Sequence, residues 1–137
     1  MPDGAIPYAP PGFATVTPYI FADDAEAYVR FLIEGLGGRE TIRTMRPDGR
    51  IANCQVAIGD ATIMVSEASE RFPATRATYY LYVDDADAAV ARALDAGGTL
   101  VMAVADMPYD DRQGGVADGG GNIWWISQRL VREPYAA

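Results

Sequence analysis

The sequence predicts an α+β fold in which two β-α-β-β-β modules build a curved, mostly antiparallel eight-stranded sheet with both helices on its convex face. Three observations lead there. The segment TPYIFADDAEAYV, from Thr17, returns 61 residues later as TYYLYVDDADAAV, from Thr78, with seven of the thirteen positions identical. A recurrence at that level marks a duplicated structural unit. Each copy passes from an aromatic and aliphatic run through a pair of aspartates into apolar residues spaced three and four apart. Each helical pattern then stops at a double glycine, Gly37-Gly38 and Gly97-Gly98.

Taken in order, residues 1–12 carry four prolines and two glycines and read as a flexible arm, because proline cannot continue a helix or sit in a central strand. Residues 13–128 form one domain made of two repeats, 13–66 and 78–128. In the first, the aromatic run at Tyr19 predicts a strand, and Asp23-Asp24 supplies an N-cap with favourable charge at a helix start. The helix carries Ala25, Tyr28, Val29, Leu32, Ile33 and Leu36 on one face. Three strands follow, over residues 40–45, 51–58 and 61–66, with turns at Pro47-Asp48-Gly49 and Gly59-Asp60. In the second repeat, the strand at Tyr80 and the Asp84-Asp85 cap lead into a helix with Ala86, Ala89, Val90, Ala93 and Leu94 on one face. Strands are expected over 99–105, in a short piece near 115–117 after a long polar loop, and over 122–128. Residues 129–137 are an unpatterned tail.

Composition narrows the chemistry. The chain has 137 residues and a net charge of −8, with arginine in all eleven basic positions and no histidine. Imidazole acid–base catalysis, histidine metal sites and lysine Schiff bases are therefore excluded from this chain alone. An acidic domain repels phosphate backbones, so no nucleic acid partner is expected. The single cysteine, Cys54, closes no internal disulfide, and no apolar run reaches the roughly 18 residues of a membrane span. The expected location is the cytoplasm, with no membrane association.

The internal repeat, the Val83-Asp84-Asp85 helix start and the stretch MPYDDRQGGVADGGGNIWWI resemble the glyoxalase/bleomycin resistance/extradiol dioxygenase group, the vicinal oxygen chelate superfamily. Short members often carry G-D-R-x-G followed by D-P-x-G-x-x-W in that stretch. Asp111, Arg112, Gly114, Asp118, Gly121 and Trp124 match, whereas Asp110 stands in place of the first glycine and Gly119-Gly120 in place of proline and its neighbour. The resemblance implies a divalent metal held by four His, Glu or Gln side chains. The corresponding positions here are Thr17, Met64, Thr78 and Trp125, which do not make a hard-cation site. No metal and no cofactor are expected.

Strand alternation separates the two faces of the sheet. With Thr17 and Thr78 in the cleft, Tyr19, Phe21, Tyr80 and Tyr82 share that face, joined by Asn53, Gln55, Met64 and Trp125. Arg112, in a loop, is expected to close over it. The lining is aromatic and neutral-polar, without a carboxylate or imidazole, and no catalytic residue is assigned. Such a cleft suits burial of a planar organic molecule with a few orienting hydrogen bonds. The expected function is metal-free sequestration of a planar or cationic small organic ligand, by a homodimer as the resemblance implies. The alternatives are a metal-dependent lyase, isomerase or dioxygenase whose ligands lie elsewhere, and a ligand-free paralogue whose cleft is filled by its own side chains.

Overall fold

A computed structural model describes residues 8–136; of the expected arm, residues 1–7 lie outside the described part. Two β-α-β-β-β modules are present. The first consists of β1 (Tyr19–Ala22), α1 (Ala25–Glu34), β2 (Arg39–Met45), β3 (Ile51–Ile58) and β4 (Ala61–Glu67). The second consists of β5 (Thr78–Tyr82), α2 (Ala86–Asp95), β6 (Thr99–Asp106), β7 (Asp111–Ala117) and β8 (Ile123–Arg129). Each module folds its strands into a mixed sheet, ordered β1-β4-β3-β2 and β5-β8-β7-β6, in which only the first strand runs parallel to its neighbour.

The eight strands thus stand as two four-stranded sheets, joined through a linker, residues 68–77. Thr75 donates its N–H to the Phe21 carbonyl (3.0 Å), and Ala77 accepts from the Ile123 N–H (3.1 Å). The linker therefore occupies the seam between β1 and β8.

The duplication extends to the helix ends. Asp24 accepts from the Ala27 N–H and Asp85 from the Ala88 N–H, each at 3.1 Å. The first helical N–H of α1 is taken by Glu67 and that of α2 by Gln128, each at 3.0 Å. The last strand of each module thereby satisfies the orphan donors of its own helix. At the other end of α2, Gly97 adopts φ 105° and the Gly98 N–H reaches back to the Ala93 carbonyl at 3.0 Å, a glycine-dependent cap.

The helices cover the sheet faces that carry Ile20, Cys54, Val56, Val65, Val116, Trp124 and Ile126, all buried in one core shared by the modules. On the other face, which we term the open face, Tyr19, Ile42, Tyr80 and Tyr82 remain exposed. Burial alternates in step with these two faces along β1, β3 and β5, whereas on β4 Thr62 and Ser66 are buried along with Ile63 and Val65. No helix is long and apolar enough to cross a membrane among the described residues.

Candidate functional site: the open faces of the two sheets

On the first sheet, register places Tyr19 beside Met64, and Met64 opposite Gln55. The Tyr19 and Phe21 rings lie 4.8 Å apart, and Phe72 from the linker stacks on Phe21 at 5.7 Å. The Ser66 hydroxyl donates to the Ala52 carbonyl (2.6 Å), so its hydrogen bond to Tyr19 (2.7 Å) has the phenol as donor. Asn53 is half-buried on β3, opposite Thr44 of β2. Thr17 lies just ahead of β1 and lines a groove of about 450 Å3 with Gln55 and Met64. Tyr8, Pro10 and Phe13 wall that groove, so the end of the proline-rich segment is folded against the first sheet. Thr62 fixes it by donating to the Gly12 carbonyl at 2.7 Å.

On the second sheet, Tyr80 lies beside Trp125, which faces Gly115 on β7; Thr78 lies beside Ile123. A Cβ on Gly115 would sit 2.6 Å from the Trp125 ring, so the indole lies against the strand only because that position has no side chain. Tyr82 lies beside Ser127, whose hydroxyl accepts from Gln113 Nε2 at 2.7 Å. Gln113 in turn accepts from the Tyr109 hydroxyl at 2.5 Å.

The centre of this face is a carboxylate. Asp111 is 0% exposed, yet it heads β7 on the same side as Gln113 and Gly115. Its Oδ2 accepts from the hydroxyls of Tyr80 (2.9 Å) and Tyr135 (2.6 Å), and its Oδ1 accepts from Arg129 Nη1 (3.1 Å). Burial pushes the Asp111 pKa up, but the bonds from Tyr135, Tyr80 and Arg129 outweigh it and hold the carboxyl below its ordinary range. The hydrogen bond to Asp111 raises the Tyr135 phenol, and burial raises that of Tyr80. Both phenols therefore stay protonated as donors near neutrality.

Three expectations change here. The long polar loop is shorter than expected, because β7 begins at Asp111. The open face is not free of carboxylates. And Arg112 does not close over the cleft: alternation from Asp111 turns it to the helix side, where it grips Asp87 with two bonds (2.7 and 3.0 Å) and Asp106 with a third (2.9 Å). Sequence reading missed Tyr109, Gln113, Arg129 and Tyr135, and left Asp111 in the polar loop. Only the Gly115–Trp125 pairing would have set the parity of β7, and only with the strand register in hand. Asp110 adopts φ 67°, the left-handed region that favours glycine, which accounts for the glycine that similar sequences carry there.

Of the four positions where a metal is implied, Thr17, just ahead of β1, and Met64 lie in the first module, and Thr78 and Trp125 in the second. Two hydroxyls, a thioether and an indole do not fit a divalent hard cation. Cys54 is buried against the helix side, and burial pushes its thiol up to about 11, which leaves it an inert core residue.

The model of the Glyoxalase/Bleomycin resistance protein/Dioxygenase superfamily matches residues 12–126. The chain belongs to this superfamily. An uncharacterized protein of Mycobacterium bovis is 32% identical to it over 129 residues, covering 86% of this chain and 84% of the relative. The superfamily fold is equally clear in three dimensions. TioX from Micromonospora sp. ML1 superimposes with a TM-score of 0.74 at 23% identity, covering 86% of this chain and 99% of TioX. TnmS3, an antibiotic binding protein from Streptomyces sp. CB03234, superimposes with a TM-score of 0.67 at 22% identity, covering 85% of this chain and 97% of TnmS3.

Proposed function

We propose that this superfamily member binds and sequesters a planar small organic molecule on its open faces, without a metal, as a cytoplasmic homodimer. One observation carries the reading. Tyr80 and Tyr82 remain 45% and 57% exposed on a strand whose alternate residues pack into the core, beside Trp125 and near a buried carboxylate that accepts three hydrogen bonds. Aromatic surface held in fixed geometry and left in water binds flat ring systems and the same surface of a second copy. That one structural relative is an antibiotic binding protein supports the same class of ligand. The net charge of −8 favours the approach of a cationic one.

Catalysis by proton transfer is disfavoured. Asp111 is the carboxylate at the centre of the second open face, and Tyr80, Tyr135 and Arg129 already occupy it. A general base must lie within reach of its substrate, and this carboxylate is 0% exposed.

Acridine orange, planar and cationic, serves as a test ligand in equilibrium titration. Tyr80→Ala and Trp125→Ala are each expected to weaken its binding about tenfold or more, since loss of one aromatic contact is worth about 1–3 kcal/mol. Unchanged affinity in both variants would remove the open face of the second sheet as the site.

A further inference from the structure

We propose that the second module carries a subsite for a hydroxyaryl group, and that the protein's own Tyr135 fills it. The inference rests on the reading of the open face as a small-molecule site, and it specifies which chemistry that site takes. Tyr135 belongs to the irregular segment after β8, and its side chain returns over the sheet to meet residues far from it in sequence. There it makes three contacts, each matched to one part of a phenol. Its O–H donates to Asp111 Oδ2 at 2.6 Å. Its oxygen, whose proton is committed to Asp111, accepts from the Tyr82 hydroxyl at 2.8 Å. Its ring face lies under the Arg129 guanidinium, 4.1 Å from the ring centroid.

The groups that receive the phenol have anchors besides it. Asp111, Tyr82 and Arg129 all lie on strands, and Arg129 is held additionally by the Tyr109 carbonyl at 2.5 Å. Tyr135 itself sits on no regular element, and half of it faces solvent. The segment is also tied through its backbone, where the Glu133 carbonyl accepts from Arg129 Nη2 at 2.8 Å, but the contacts of the Tyr135 phenol itself are side-chain chemistry that another molecule can reproduce. An incoming hydroxyaryl group would exchange hydrogen bonds one for one and add stacking area against Tyr80 and Trp125.

The same three contacts select against other ligands. A carboxylic acid would bring a second negative charge to the buried Asp111. An ammonium would meet the Arg129 guanidinium. An aliphatic alcohol would satisfy Asp111 but offer no ring face to the cation. A neutral phenol, naphthol or hydroxylated polycycle satisfies all three.

Calorimetric titration with 2-naphthol and with 2-methoxynaphthalene, which lacks the donor, tests the inference. Tyr135→Ala removes the internal occupant. It is expected to bind 2-naphthol at least tenfold tighter than the unaltered protein does, and at least tenfold tighter than it binds 2-methoxynaphthalene. Adding Asp111→Asn is expected to abolish that preference; if the double variant does not fold by thermal melting, the ratio of the two ligands in Tyr135→Ala decides alone. Equal binding of both compounds to Tyr135→Ala, or no gain over the unaltered protein, overturns the hydroxyaryl subsite while leaving a general aromatic site intact. No binding of either compound to any variant overturns the subsite, and acridine orange binding in the same preparations then shows whether the broader reading falls with it.

Discussion

Asp118→Ala is expected to destabilise the protein by about 3–5 kcal/mol, a large part of the roughly 5–15 kcal/mol that holds a domain folded. Asp118 follows β7 and is 7% exposed. Its Oδ2 accepts from the Tyr28 hydroxyl (2.7 Å) and from Trp124 Nε1 (2.9 Å); its Oδ1 accepts from the backbone of Gly120 (2.9 Å) and Asn122 (3.0 Å). Tyr28 belongs to α1, so this carboxylate ties the first module to the second. Burial, and then the Asp118 charge, drive the Tyr28 phenol far above its ordinary pKa, so it remains a donor that must find an acceptor. Alanine would leave the Tyr28 hydroxyl and the Trp124 N–H orphaned in the core, at roughly 1–3 kcal/mol each, and would free the turn besides. Tyr28→Phe removes donor and demand together and should cost only about 1 kcal/mol. The double variant should therefore lose less than the sum of the two, a coupling that chemical denaturation measures directly. Additive losses would show that the bond does not bridge the modules.

Asp111 makes an instructive contrast. It is at least as buried, yet its partners Tyr80 and Tyr135 are half-exposed and can turn to water. Its removal should cost less stability, and under the proposed reading its importance falls on binding.

Gly98→Ala is the second large effect, expected at about 2–3 kcal/mol by overpacking. A Cβ there would sit 2.5 Å from Val116 Cγ1 and 2.9 Å from the Ala93 carbonyl. Val116→Ala should restore part of the loss, because the methyl is then gone, but the carbonyl belongs to the helix end and cannot retreat. The first module repeats the arrangement: a Cβ on Gly38 would meet Val56 Cγ1 at 2.6 Å and the Leu32 carbonyl at 2.8 Å. Gly38→Ala, partly rescued by Val56→Ala, should behave alike in denaturant titrations. A loss under 0.5 kcal/mol at either glycine would mean that helix and sheet can part there at little cost, contrary to the close approach described.

These glycines also show what the sequence makes legible. The Asp-Asp caps, the double glycines and the recurrence at Thr17 and Thr78 are local signals that act within one helical turn or one strand, and every element they announce is present. The first part of β7 is hidden for the opposite reason. Asp111-Arg112-Gln113-Gly114-Gly115 has the composition of a loop, and becomes a strand because Gly115 accommodates Trp125 and Gly114 accommodates Val90 and Val104. Those partners are distant in sequence. Without the first residue of β7 its parity is unknown, and a slip of one residue exchanges Arg112 for Asp111 on the open face. Tyr135 was illegible on the same ground: a tail with no periodicity gives no sign of its return to Asp111.

Whether this superfamily member holds an organic molecule and no metal is decided by native mass spectrometry of the untagged protein, with elemental analysis of the same sample. A homodimer without stoichiometric metal, alone or carrying an organic adduct, is the expected result. One iron, zinc, nickel or manganese per chain would contradict it and return the protein to the metal-dependent enzymes of its superfamily.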